Sequence, residues 1–224
     1  MSTTPKKKPA KSRRKAWVDT LCFDALCSNV ARAYDSATAD ERVSGSFWYT
    51  NAHDWICRLS DDSFNWETGE ITTAEQVAGM VAALSPGVRW STNQTDAERA
   101  MQRDRGHRYS TYGKQVAKAF EIVDGADPRV VLRGPKERAF FECLLNPANR
   151  EWVVLDRHAL RVAIDWRATI DDVNRWTSRA RVVETISRVY TYVARQLQIS
   201  PCELQAITWL WFRNNHVETR YRDQ

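Results

Sequence analysis

The 224 residues carry 33 lysines and arginines against 28 aspartates and glutamates, a formal charge of +5, and 43% of them are hydrophobic. That is enough for one good core or two small helical lobes and too much for a disordered chain, while eight glycines and seven prolines are too few to punctuate a strand-and-turn architecture. No apolar run approaches the ~20 residues needed to span a bilayer, the N-terminus lacks the apolar segment of a signal peptide, and the five cysteines lack the clustered spacing of zinc or iron–sulfur sites. The expectation is a soluble cytoplasmic protein with reduced thiols and neither metal nor cofactor.

Residues 1–15 hold Lys6, Lys7, Lys8, Lys11, Arg13, Arg14 and Lys15 and no acid, so the remainder has 26 basic and 28 acidic residues, close to neutral. This segment reads as a disordered basic tail, too polar to fold alone and able to bind polyanions by counterion release. From Trp17 to Ala33 apolar residues recur every three or four positions, which predicts an amphipathic helix, and a second stripe from Trp48 to Leu59 follows Gly45. A polar loop is expected between Arg58 and Thr73. Thr72-Thr73-Ala74-Glu75 reads as a capped helix start, and that helix ends at Pro86-Gly87.

Helical spacing resumes from Trp90 to about Arg103, broken at Gly106, and again from Tyr112 to Val123, closed by Gly125 and Pro128. A short apolar segment, Arg129 to Leu132, leads to Gly134-Pro135, where proline suits the first helical position and Lys136 to Leu145 continues the helix. Trp152 to Leu155 is the one extended run. Further helices are expected over Arg157 to Ile164, Asp172 to Leu197 and Cys202 to Asn214. The tally is an all-α domain over 16–224 of about ten helices. Arginines concentrate beyond residue 98, in Arg99 to Lys118 and Arg157 to Arg195, so the second half is the better suited to phosphate.

Two residues offer chemistry. Lys136 follows Gly134-Pro135 at a helix start, where unpaired N–H groups and the positive end of the helix dipole disfavour an ammonium and could also bind a DNA phosphate. An amine freed of its proton attacks an anomeric carbon to give a Schiff base. Asp156 closes the extended run ahead of Arg157-His158-Ala159, as a helix cap or as a carboxylate that steadies positive charge developing on deoxyribose. His158 is placed to orient that carboxylate or touch a phosphate, or serves as a structural histidine.

Gly-Pro-Lys, a twenty-residue interval and Asp-x-His at the next helix start resemble the catalytic segment of the helix-hairpin-helix DNA glycosylases, the 8-oxoguanine type in particular, over residues 72–214. The resemblance implies a two-lobed helical fold with Lys136 as nucleophile, Asp156 as catalytic aspartate, and His158 on phosphate beside Gly134. It also places Arg89, Trp90, Asn93 and Gln94, after Leu84-Ser85-Pro86, where that superfamily wedges the duplex. Gln205, Trp209 and Arg213 fall on a closing helix near the pocket, with Arg157 and Arg161 beside it. The chain departs from the family in having one hairpin glycine rather than two, and it lacks the iron–sulfur cysteines of one branch. Leu-Ser-Pro, Gly-Pro-Lys and Asp-Arg-His-Ala together look like a bacteriophage-encoded group.

The implied function is extrusion of a modified or damaged base from double-stranded DNA and cleavage of its N-glycosidic bond, with lyase activity through Lys136. Two other readings remain open at this stage. One is an amino acid:DNA transferase on the same scaffold, joining a free amino acid to activated 5-hydroxymethyluracil; the other is a non-catalytic helical DNA-binding module.

Overall fold

The computed structural model describes residues 22–61, 72–164 and 167–216. The basic tail, Trp17 and most of the loop expected between Arg58 and Thr73 lie outside the described residues. Within them the chain is all helical, with no strand. In order, the elements are α1 (Phe23–Ser36), α2 (Ala39–Asp61), α3 (Ala74–Leu84), α4 (Trp90–Met101), α5 (Gly113–Val123), α6 (Pro128–Val131), α7 (Pro135–Leu145), α8 (Arg157–Ala163), α9 (Ile170–Thr177), α10 (Ala180–Gln196) and α11 (Pro201–His216).

The core forms two clusters. The first is built around α3, whose residues Val77 to Leu84 are all buried and which packs against α2, α4, α5, α6 and α7. A capping box starts this helix: the Thr73 hydroxyl accepts from the Gln76 N–H while the Gln76 side chain accepts from the Thr73 N–H, satisfying two otherwise orphaned donors. Small residues let neighbours close in. At Gly79 a methyl group would fall 2.6 Å from Pro128 Cβ, so α6 lies almost against the α3 backbone. The second cluster joins α1, α8, α9, α10 and α11, with Leu26, Val30, Leu160, Ile186, Val189, Tyr190 and Phe212 at its centre. Each fully buried aliphatic side chain contributes roughly 1.5–3 kcal/mol by leaving water.

Two elements join the clusters. On α11, Cys202 and Ala206 face the first cluster while Leu204 and Phe212 face the second. The run expected to be extended makes no ladder hydrogen bonds and is not a strand, yet it behaves as one in its side chains. Trp152 and Val154 pack into the first cluster, and Val153 and Leu155 into the second.

Four helix boundaries differ from expectation. Gly45 is interior to α2, because its missing side chain is what allows contact with α11: a Cβ there would sit 2.6 Å from Ile207 Cα and 2.7 Å from Ile207 N. The helix expected over Asp172–Leu197 is two, broken at Ser178-Arg179 with Arg179 in an extended conformation. The apolar spacing runs across that turn unbroken, since Val173, Trp176, Val182 and Ile186 all face the second cluster. Arg129 to Val131 is helical, part of α6, rather than a plain connector. After α4 the break comes at Arg103, in the left-handed region at φ 55°, ahead of Gly106.

Candidate functional site

Asp156 caps α8, and its carboxylate is fixed by the backbone: Oδ1 accepts from the N–H groups of His158 at 2.9 Å and Ala159 at 2.8 Å. Oδ2 faces His158 Nδ1 at 3.4 Å, an electrostatic contact too long for a good hydrogen bond, and Nδ1 is buried without a hydrogen-bond partner. The imidazole is held by Trp209 and Phe212 of α11, at ring-centroid distances of 6.2 and 5.3 Å. Burial would raise the Asp156 carboxyl, but the His158 ring, the positive charge of Lys136 and the Ala159 N–H together hold it below its ordinary value. Asp156 is therefore ionised at neutral pH, although its side chain is only 17% exposed.

Lys136, at the start of α7, acts on this carboxylate through its positive charge. It is exposed in the first turn of α7, where Pro135 occupies the first helical position and Gly134 supplies no capping side chain. The neighbouring Glu137 accepts from Gln115 Nε2 and Lys118 Nζ of α5, which moors the turn. Gly134 itself has φ −73°, open to any residue; what it provides is room, since a Cβ would meet the Glu137 carboxylate at 3.3 Å.

Two tyrosines complete the surroundings. Tyr49 of α2 donates from its hydroxyl to Gln205 Oε1 at 3.1 Å, and Tyr190 of α10 lies 3.3 Å from the Ala159 carbonyl and 3.4 Å from the Thr208 hydroxyl. Burial first, then the thiols of Cys143 and Cys202 and the charge of Asp156, push the Tyr49 hydroxyl well up. Burial and Asp156 do the same at Tyr190, against the hydrogen bond with Thr208. Neither tyrosine was among the expected site residues. Each sits in an ordinary apolar stripe, and only the packing of α2, α10 and α11 brings them to the cap of α8.

Of the expected residues, Asp156, His158 and Trp209 are in contact in turn, Gln205 is joined to Tyr49, and Lys136 acts on Asp156 through its charge. The Arg213 guanidinium lies over the Trp209 ring at 4.6 Å and that of Arg161 over Phe212 at 5.5 Å, so both arginines border the same region. Arg157 is exposed at the first position of α8.

The group at the start of α4 is placed differently. Arg89 is exposed and Gln94 partly buried, but Trp90 packs on Trp48 at 5.2 Å and Trp55 at 5.7 Å. Asn93, expected to reach DNA, is 1% exposed and donates to the Val81 carbonyl at 3.1 Å, binding α4 to the end of α3. A polar residue after Leu-Ser-Pro reads as a wedge in the sequence; here it satisfies a buried carbonyl. Two surface depressions, of about 410 and 280 Å³, lie around the start of α11 and the end of α10, and Lys136, Asp156 and His158 line neither. Among the described residues no group of His, Cys, Asp or Glu could hold a metal ion, and no helix is long and apolar enough to cross a membrane.

A fixed carboxylate can stabilise a cation developing nearby or accept a proton, and a lysine amine can attack an electrophilic carbon once its proton is passed on. The same stretch of chain is what comparison with known proteins recovers. A family of unknown function, DUF7178, matches residues 13–216. The chain belongs to DUF7178. That match takes in both core clusters and every residue of the site, so the DUF7178 unit is the whole helical body rather than a piece of it. No curated protein and no solved structure matches the chain.

Proposed function

We propose that this chain is a DNA-base-directed enzyme of the glycosylase-like class, acting on a modified or damaged base extruded from double-stranded DNA. The observation that carries the reading is a carboxylate at Asp156 that is fixed by two backbone N–H groups and held ionised, in part by the positive charge of Lys136 at the start of another helix. A surface lysine and a helix cap have no structural need of each other. In the reaction, Asp156 steadies the positive charge that grows on deoxyribose as the base departs, and its two backbone hydrogen bonds hold it in place without reorganisation. Lys136 attacks the anomeric carbon, the base leaves, and the resulting Schiff base permits β-elimination of the strand.

Supporting features are the short helix α6, the three-residue turn Leu132 to Gly134 and α7, an arrangement compatible with a helix-hairpin-helix in a two-lobed fold. Arg161 and Arg213 are positioned at the border of the site for phosphate. A cytoplasmic location, in a host cell if the chain is phage-encoded, fits such a substrate.

Borohydride reduction in the presence of DNA carrying a panel of damaged and modified bases tests this directly. The expected result is a covalent protein–DNA adduct that is lost in Lys136→Ala, with base release lost in Asp156→Asn. Absence of both trapping and base release across the panel overturns it. An amino-acid adduct on activated 5-hydroxymethyluracil DNA, with no base release, replaces excision by the transferase reaction. Unchanged DNA binding in both variants, without either chemistry, reduces the chain to a binding module.

A further inference from the structure

The two surface depressions at the start of α11 adjoin, because Arg150 and Ile199 line both. The smaller, of about 280 Å³, is lined by Arg150, Thr191, Arg195, Ile199 and Pro201, which brings two guanidinium groups and a hydroxyl to one cavity without a carboxylate. Arg150 donates from Nη1 to the Ile199 carbonyl at 2.8 Å, and the Arg195 guanidinium has no ion pair or hydrogen bond among the described residues. Two like charges at one cavity repel each other until an anion lies between them. Pro201 is the first residue of the 16-residue helix α11, whose positive end adds to the same field.

The wall of this cavity is held on both sides. Gln198 adopts the left-handed conformation at φ 61°, and the Ile199 N–H reaches back to the Ala194 carbonyl at 3.1 Å, as in a Schellman helix end. The Arg150 bond ties the same turn to the connection between α7 and α8. The larger depression, of about 410 Å³, offers different chemistry. Thr50, Asn146, Ser200 and Glu203 are among its lining residues, and the Glu203 carboxylate accepts from hydroxyl groups but repels a phosphate. Tyr49 lines it at only 4% exposure and presents no ring face on which a nucleobase could stack.

We propose that the joined depressions are a binding site for a small phosphate monoester with a hydroxylated body, of the sugar-phosphate class. Arg150 and Arg195 take the phosphate, whose oxygens match the paired N–H donors of a guanidinium, and Glu203, Asn146 and Thr50 take the hydroxyl groups. The separation of the two arginines from the carboxylate sets the direction in which the molecule lies. Lys136, Asp156 and His158 line neither depression, so this is a second site. The inference stands apart from the DNA-enzyme reading, because binding is measured without DNA.

The experiment titrates the full chain with ribose 5-phosphate by calorimetry at low ionic strength, with inorganic phosphate and ribose as partial probes. Ribose 5-phosphate should bind saturably at a single site with a Kd of about 1 mM or below, inorganic phosphate more weakly, and ribose not at all. Arg195→Ala, at an exposed position, should weaken ribose 5-phosphate about tenfold or more, and Arg195→Lys, which keeps the charge but not the paired donors, by less. Glu203→Gln should weaken ribose 5-phosphate without weakening inorganic phosphate, a split that a merely structural role would not produce. Absence of saturable binding, or binding unchanged in Arg195→Ala, overturns the proposal. So does a loss of duplex-DNA affinity in Arg195→Ala by a protein that ignores ribose 5-phosphate, which would make the arginines part of a DNA surface. If Arg150→Ala fails to fold for want of its bond to Ile199, the Arg195 and Glu203 variants decide the matter.

Discussion

Replacing Gly45 by alanine should drive α2 and α11 apart. The added methyl would lie 2.5 Å from Ile207 Cγ1 and 2.6 Å from Ile207 Cα, and the backbone atom cannot rotate away as a side chain would. Restoring ordinary carbon contact at about 3.5 Å requires a shift of roughly 0.9 Å between the helices. One turn further along α2, the buried hydrogen bond from Tyr49 to Gln205 is already 3.1 Å, so the same shift breaks it. Overpacking typically costs about 1–3 kcal/mol and an orphaned buried polar pair about 1–3 kcal/mol, against a gain of about 1 kcal/mol for alanine over glycine within a helix. The net expectation is a loss of about 1–5 kcal/mol, read as a fall of roughly 1 M or more in the urea midpoint at the middle of that range. Gly113→Ala, where nothing lies within 4 Å, is the control and should be neutral or mildly stabilising. A Gly45→Ala protein as stable as the parent, or more stable by the helix-propensity increment, would refute the argument for close approach.

Asp156→Asn keeps a capping oxygen and removes the charge, so it should cost about 1 kcal/mol at neutral pH. Since the folded carboxyl lies below its ordinary value, its ionised form stabilises the fold; that contribution is complete above about pH 3.9 and lost as pH falls through the lower folded value. Urea midpoints of the two proteins should therefore converge on acidification, and a constant gap would contradict the assignment. Lys136→Ala, at an exposed position, should change stability by no more than about 0.5 kcal/mol while abolishing borohydride trapping; a large loss of stability would mark the lysine as structural. Asp96 is 1% exposed and holds His107 Nε2 at 3.0 Å and the Ser110 N–H at 2.9 Å, pinning the segment between α4 and α5. Asp96→Ala should cost about 3 kcal/mol, with faster amide exchange over 102–112, and unchanged exchange there would sink that role.

What the sequence made legible was local chemistry. Thr73 and Asp156 each cap the helix that follows, and Pro135 opens α7, because a cap is decided by a few neighbouring residues. Helix ends decided by a distant partner were not legible. Gly45 looks like punctuation until Ile207 is placed against it, and Ser178-Arg179 carries no breaker, so only the extended backbone at Arg179 reveals the turn. The site divides in the same way. Lys136, Asp156 and His158 were singled out from spacing, whereas Tyr49 and Tyr190 come under the influence of Asp156 only through packing. Asn93 shows the converse: a polar residue in a suggestive motif that a buried carbonyl claims.

The segment from Trp152 to Leu155 turns alternate side chains into opposite cores, with Asp156 next in line. Its tolerance to insertion and deletion follows directly. One residue added or removed here would exchange which side chains enter which core and swing the aspartate half a turn out of its seat, whereas two would preserve the facing. Length variation among natural relatives should therefore gather in the surface turns and leave this stretch with a constant count, whatever the identity of its apolar residues.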